Sequence, residues 1–173
     1  MEEMQLYAII PELVLLGGSM IGLVIGLFLP KKNQWIIALL AVLVLALAAY
    51  FSLQDLLQPA GNIFYSTYTV DIMGRFGSLI ILISSILIIG LSFKEFRQHA
   101  RETEFYVLLL FAILGLVLLT GISDLMFLMV AYLLSSIPLY TLSAFHKNKL
   151  GTEAAMKYLL MGALLGIIML SMA

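Results

Sequence analysis

Two residues of opposite charge stand four apart at the head of an almost wholly apolar run. They are Glu153 and Lys157 in TEAAMKYLLMGALLGIIML, residues 152–170. Lysine is among the costliest side chains to place in hydrocarbon, so an ionisable residue there is a functional candidate by default. Two readings are open. Glutamate four residues before lysine is the favoured order on a helix surface, and a lysine near a membrane edge can snorkel to the headgroups. The other reading is a buried amine that exchanges a proton as a nearby charge comes and goes. Asp71 and Arg75 repeat the spacing of four at the start of an earlier apolar run, and Glu12 follows Pro11 in the first one. Asp71 and Arg75 read best as a structural charge pair at a helix start. Glu12 reads as an interfacial residue or one that faces another subunit.

Other chemistries lack their residues. There is no HExxH, no P-loop, no GxGxxG after a strand and no nucleophile elbow. The chain has no cysteine, which excludes a disulfide framework, thiolate metal ligation and a cysteine nucleophile. His99 and His146 both fall in basic loops, where solvated side chains are expected rather than metal ligands. No cofactor site is expected on this chain. The formal net charge of −1, with no basic run, gives no sign of nucleic acid.

The elements that must position these residues are membrane helices. Of the 173 residues, 63% are hydrophobic and 11% charged, and the mean hydropathy is +1.12. Soluble domains are about half apolar and about a quarter charged, and too few polar residues remain here to cover a water-soluble core. The expected class is an all-α integral membrane protein, a single transmembrane domain over 1–173 with lipids around it. A span needs about 20 apolar residues. Six are expected, over about 6–29, 35–53, 72–93, 104–120, 124–145 and 153–172, the last with Thr152 as its N-cap. The opening MEEMQLYAIIPELVLLGGSM has an acidic start and no A-x-A-like site, so the first span is expected to remain as a helix.

The basic residues test that number of spans. Lys31 and Lys32, then Lys94, Arg97 and Arg101, then Lys147 and Lys149 fall in the first, third and fifth connections. The second and fourth connections carry Asp55, Asp71 and Asp124. By the positive-inside rule, connections 30–34, 94–103 and 146–152 lie on the cytoplasmic or matrix side, with both termini opposite. Gly18, Gly22 and Gly26 stack on one face of the first span, and Gly162 and Gly166 repeat the spacing in the sixth. Such faces let backbones approach closely, as ordinary helix packing or as a dedicated subunit interface.

The run EFYVLLLFAILGLVLLTGISDLMFLMVAYLLSSIPLYTLSAF and the TEAAMKYLLMGALLG that follows it resemble the N-type antiporter-like subunit of respiratory complex I. YAIIPELVLLGG and YTVDIMGRFGSLIILISS are similar to that family's first and third helices. The resemblance covers nearly the whole chain and is most specific over 104–166. It implies the N-terminal part of an antiporter-like fold in the membrane arm of an NADH (or related donor):quinone oxidoreductase. Such a chain contributes to or scaffolds proton translocation, while electron transfer runs on other subunits. It implies an energy-transducing membrane, bacterial inner or organellar, and other hydrophobic membrane-arm subunits as partners. Lys157 stands at the lysine of the family's EA-x-x-KY motif, and Glu153 and Glu12 join it as proton-path candidates.

Two departures qualify this expectation. The family places a glutamate five residues before the proline of its S-x-P-L-Y motif, and with Pro138 as that proline the position is Leu133. Residues 125–140 hold no acid, so the lysine's usual counter-charge is missing. The family also has about fourteen helices where six are read here. A split subunit with a companion chain carrying the missing helices, a truncated paralogue, or part of a larger product would each account for that. The alternatives in other classes are a structural or assembly subunit with no ion path, and an antiporter-like subunit of a sodium/proton exchanger or membrane hydrogenase.

Overall fold

The computed structural model describes residues 9–29, 34–56, 61–63, 68–96 and 101–171. Lys31, Lys32, Arg97 and His99 lie outside them. Six long helices run Ile10–Phe28 (α1), Trp35–Asp55 (α2), Ile72–Phe96 (α3), Glu102–Leu119 (α4), Leu125–Ser143 (α5) and Lys149–Ser171 (α6). All six are long and apolar enough to cross a membrane. At 1.5 Å per residue even the shortest spans about 27 Å, close to the hydrocarbon thickness. The expected all-α membrane class holds.

Local chemistry sets the helix ends. Pro11 sits in the first turn of α1, where a missing N–H costs nothing. Helix α6 starts before the expected Thr152. Asn148 accepts the Gly151 N–H through Oδ1 at 2.7 Å and caps the helix, and the Thr152 hydroxyl bonds back to the Asn148 carbonyl at 3.0 Å. Asparagine is at least as good a cap as threonine. The second connection contains a short antiparallel hairpin. Gly61–Ile63 (β1) pairs with Tyr68–Val70 (β2), Gly61 opposite Val70. Tyr68 also bridges to Ile122 beyond α4, so the hairpin ties two connections together.

Helix α4 is the axis of the bundle. It packs against α1, α2, α3 and α5, whereas α6 packs mainly along α5. Of the apolar window in α4, 56% is buried, against 11% in α6. The core joins Leu15, Leu45, Leu82, Tyr106, Leu110 and Val117. The glycines serve this internal packing. A Cβ at Gly18 would collide with Val44 of α2, and one at Gly26 with Thr103 at the head of α4. The Tyr140 hydroxyl lies where a Cβ at Gly162 would stand, and Tyr132 lies over Gly166. The three-glycine face of α1 is therefore spent within the chain.

Helices α4 and α5 meet backbone to backbone. A Cβ at Gly115 would fall on the backbone of Ser135, which no rotamer change can relieve. Gly115→Leu is expected to destabilise the bundle by roughly 1–3 kcal/mol, the range for overpacking. It should lower the unfolding midpoint in detergent well below that of Gly17→Leu, since nothing lies within 4 Å of a Cβ at Gly17. Equal midpoints for the two variants would refute the close packing.

Candidate functional site

One end of the bundle gathers Glu12, Asp55 and Arg75, while the buried Glu102 stands at the other, at the head of α4. The start of α1 brings Glu12, the end of α2 brings Asp55, β2 brings Tyr68, α3 brings Arg75 and Ser78, and the end of α4 leads into Thr120. Arg75 and Glu12 are each only 6% exposed. Arg75 Nε lies 3.2 Å from Asp55 Oδ2. The contact is a charge pairing, since the Nε–H is not aimed for a linear hydrogen bond. Glu12 Oε1 accepts the Tyr68 hydroxyl at 2.7 Å, while its Oε2 is buried with no hydrogen-bond partner. Thr120 Oγ1 donates to the Val117 carbonyl at 2.7 Å and Ser78 Oγ to the Gly74 carbonyl at 3.1 Å, and the two hydroxyl oxygens lie 2.7 Å apart, within hydrogen-bond distance of each other.

Burial, and then the Glu12 carboxylate beside it, push the Tyr68 phenol well above its ordinary range. A raised phenol favours the neutral folded form. Its contribution is therefore complete below the unfolded value of about 10 and is lost only as pH climbs through the folded one. Tyr68 thus remains a donor to Glu12 at any physiological pH.

The structure corrects the expected pairing of Asp71 with Arg75. Asp71 is exposed and its Oδ1 accepts the Gly74 N–H at 2.8 Å, capping the first turn of α3. The ion pair instead crosses from α3 to the end of α2. Asp55, Tyr68, Ser78 and Thr120 were not legible as site residues. The available signal was Asp55, a lone acid closing an apolar helix in a connection without bases.

Glu153 and Lys157 lie at the other end. Lys157 Nζ donates to Glu153 Oε1 at 2.6 Å, and the side chains are 73% and 56% exposed for lysine and glutamate respectively. Such a pair is worth about 0.3–0.5 kcal/mol in water. Lys157 is eight residues into α6, about 12 Å along its axis. It flanks Tyr158, whose ring meets Tyr140 of α5 at 5.0 Å. Leu133, at the family's glutamate position, is 48% exposed. It lines an open, mostly apolar groove of about 420 Å³ between α5 and α6, with Tyr132, Tyr140 and Gly162. Glu12 is thus brought together with Asp55 and Arg75, and not with Lys157.

Removing one partner of a buried ion pair leaves the other uncompensated, at about 3–5 kcal/mol, whereas replacing both with apolar groups is often near neutral. Arg75→Leu and Asp55→Leu should each destabilise the bundle strongly, and the double variant by much less than their sum. Additive losses in denaturant unfolding would show that the pair is not coupled.

No protein-family model matches the chain. NADH-quinone oxidoreductase subunit N 1 of Streptomyces griseus is 38% identical over 160 residues, 92% of this chain and 34% of that protein. The F(420)H(2) dehydrogenase subunit N of Methanosarcina mazei is 31% identical over 168 residues, 92% of this chain and 34% of that protein. Among solved structures, a chain of respiratory complex I from Thermus thermophilus with bound aureothin superposes with a TM-score of 0.77 at 29% identity. That match covers 91% of this chain and 34% of the other. The chain thus spans about a third of the length of the relatives it matches. With its six-helix architecture and its sequence both shared, the chain belongs to the subunit N family of complex I-type oxidoreductases.

Proposed function

We propose that this chain works in the membrane arm of a complex I-type donor:quinone oxidoreductase, where it contributes to or scaffolds proton translocation driven by electron transfer elsewhere. The observation that carries the reading is the homology along 92% of the chain to subunits N of two such enzymes. Those relatives name NADH and F(420)H(2) as donors, so the electron donor is left as a class. On this reading the redox chemistry runs on other subunits and not on this chain. It has no cysteine for thiolate ligation, and its partners are other hydrophobic membrane-arm subunits that carry or adjoin the redox ones.

Lys157, Glu153 and Glu12 are the proton-path candidates. Lys157 sits on a face that α5 leaves open, with Leu133 beside the groove in place of an acid. Among the described residues its counter-charge is Glu153, and any further acid is supplied from outside them. A scaffolding role without an ion path is the second reading, favoured by Leu133. The membrane is an energy-transducing one, with connections 30–34, 94–103 and 146–152 on the cytoplasmic or matrix side and both termini opposite.

The chain, tagged and extracted in mild detergent, is expected to carry antiporter-like and redox subunits with it, read by mass spectrometry. Migration alone or as a small homo-oligomer would sink the membrane-arm reading. In the assembled complex, Lys157→Ala is expected to lower the protons moved per electron with assembly intact. Unchanged pumping would decide for the scaffold. The absence of cysteine allows a clean orientation assay. A K147C variant should react with an impermeant maleimide from the cytoplasmic or matrix side only, and an I122C variant from the opposite side only.

A further inference from the structure

Glu12, Ser52, Asp55, Arg75 and Thr120 wall a void of about 20 Å³. One water needs roughly 10–15 Å³ of such space and two to four polar partners, so the void has room for one molecule. Its walls supply the partners. Glu12 Oε2 is buried without a hydrogen bond, although Oε1 of the same carboxyl is taken by Tyr68. An orphaned buried carboxylate oxygen is costly. Ser52 and the Asp55–Arg75 pair line the same void. Two carboxylates, Glu12 and Asp55, thus face it with one guanidinium, and the exposed Asp71 stands at its rim.

We propose that this void binds a single water molecule that donates to Glu12 Oε2 and links it to the Asp55–Arg75 pair, forming a proton-exchange site at the end of the bundle away from the basic loops. In the exchange, a hydronium at the rim beside Asp71 gives a proton to the bound water, and that water gives one of its own to Oε2. One O–H bond breaks on each donor as one forms on each acceptor, so the single water in the void is neutral before and after and the hydronium leaves as water at the rim. Tyr68, held neutral, keeps its bond to Oε1 and fixes the carboxyl in place. The water site stands on the void and the orphaned oxygen, while its use in transport rests on the proton-path role proposed for Glu12.

The test uses the full chain in its native assembly. A density map at a resolution that shows ordered water is expected to place one peak within hydrogen-bond distance of Glu12 Oε2. Ser52→Val, which removes a polar wall group and adds a methyl to the void while leaving the Glu12 side chain in place, should abolish that peak. In infrared spectra, the carboxyl band identified by its loss in Glu12→Gln should shift in D₂O, with exchange at least tenfold slower in Ser52→Val. The wild-type map and spectra decide the matter even if Ser52→Val fails to assemble. A dry void, a sodium ion in it, or a Glu12 band indifferent to D₂O would overturn the proposal. Wild-type pumping by Glu12→Gln would overturn the transport role alone and leave the water site standing.

Discussion

Charge cannot be left in hydrocarbon without a partner, and the end of the bundle that holds Glu12, Asp55 and Arg75 is organised by that constraint. Taking ions out of water costs several kcal/mol each unless geometry and hydrogen bonds compensate. Arg75 therefore draws the end of α2 against the start of α3 through Asp55. Glu12 draws the hairpin over the start of α1 through Tyr68. The backbone bridge from Tyr68 to Ile122 and the Ser78–Thr120 bond add the end of α4. A Cβ at Gly121 would strike the Tyr68 ring, so the tyrosine has one seat. The middle of the bundle is mostly apolar and takes its spacing from where glycines let helices meet.

The helices were legible because hydropathy and the alternation of basic loops depend on composition alone. The ion pair was not. Asp71 and Arg75 stand one turn apart, and local spacing favours them as partners. The Asp71 side chain is instead used by the Gly74 N–H, and the guanidinium pairs with a carboxylate twenty residues earlier. That depends on two helix ends meeting in space. Tyr68 was hidden for a similar reason, since strands of three residues leave no readable alternation. Glu153 and Lys157 were legible as a pair. Whether they are buried was not, because that follows from which side of α6 finds a neighbour.

The two sets of ionisable residues sit at opposite ends, and the described residues hold no polar chain joining them. The buried serines between them are turned inward on their own helices. Ser19 bonds the Leu16 carbonyl, Ser85 the Ile81 carbonyl and Ser135 the Tyr132 carbonyl, at 2.7–2.9 Å. Each of these three hydroxyl protons is thus committed to a carbonyl of its own helix.

Helix α6 is fastened along one edge. Its seam is a row of aromatic contacts: the Tyr132 hydroxyl on the Gly162 carbonyl at 2.7 Å, and the Tyr140 ring against Tyr158. Glu153 and Lys157 ride on that helix, so where the two charges stand is set by the tyrosine seam and not by the core around α4.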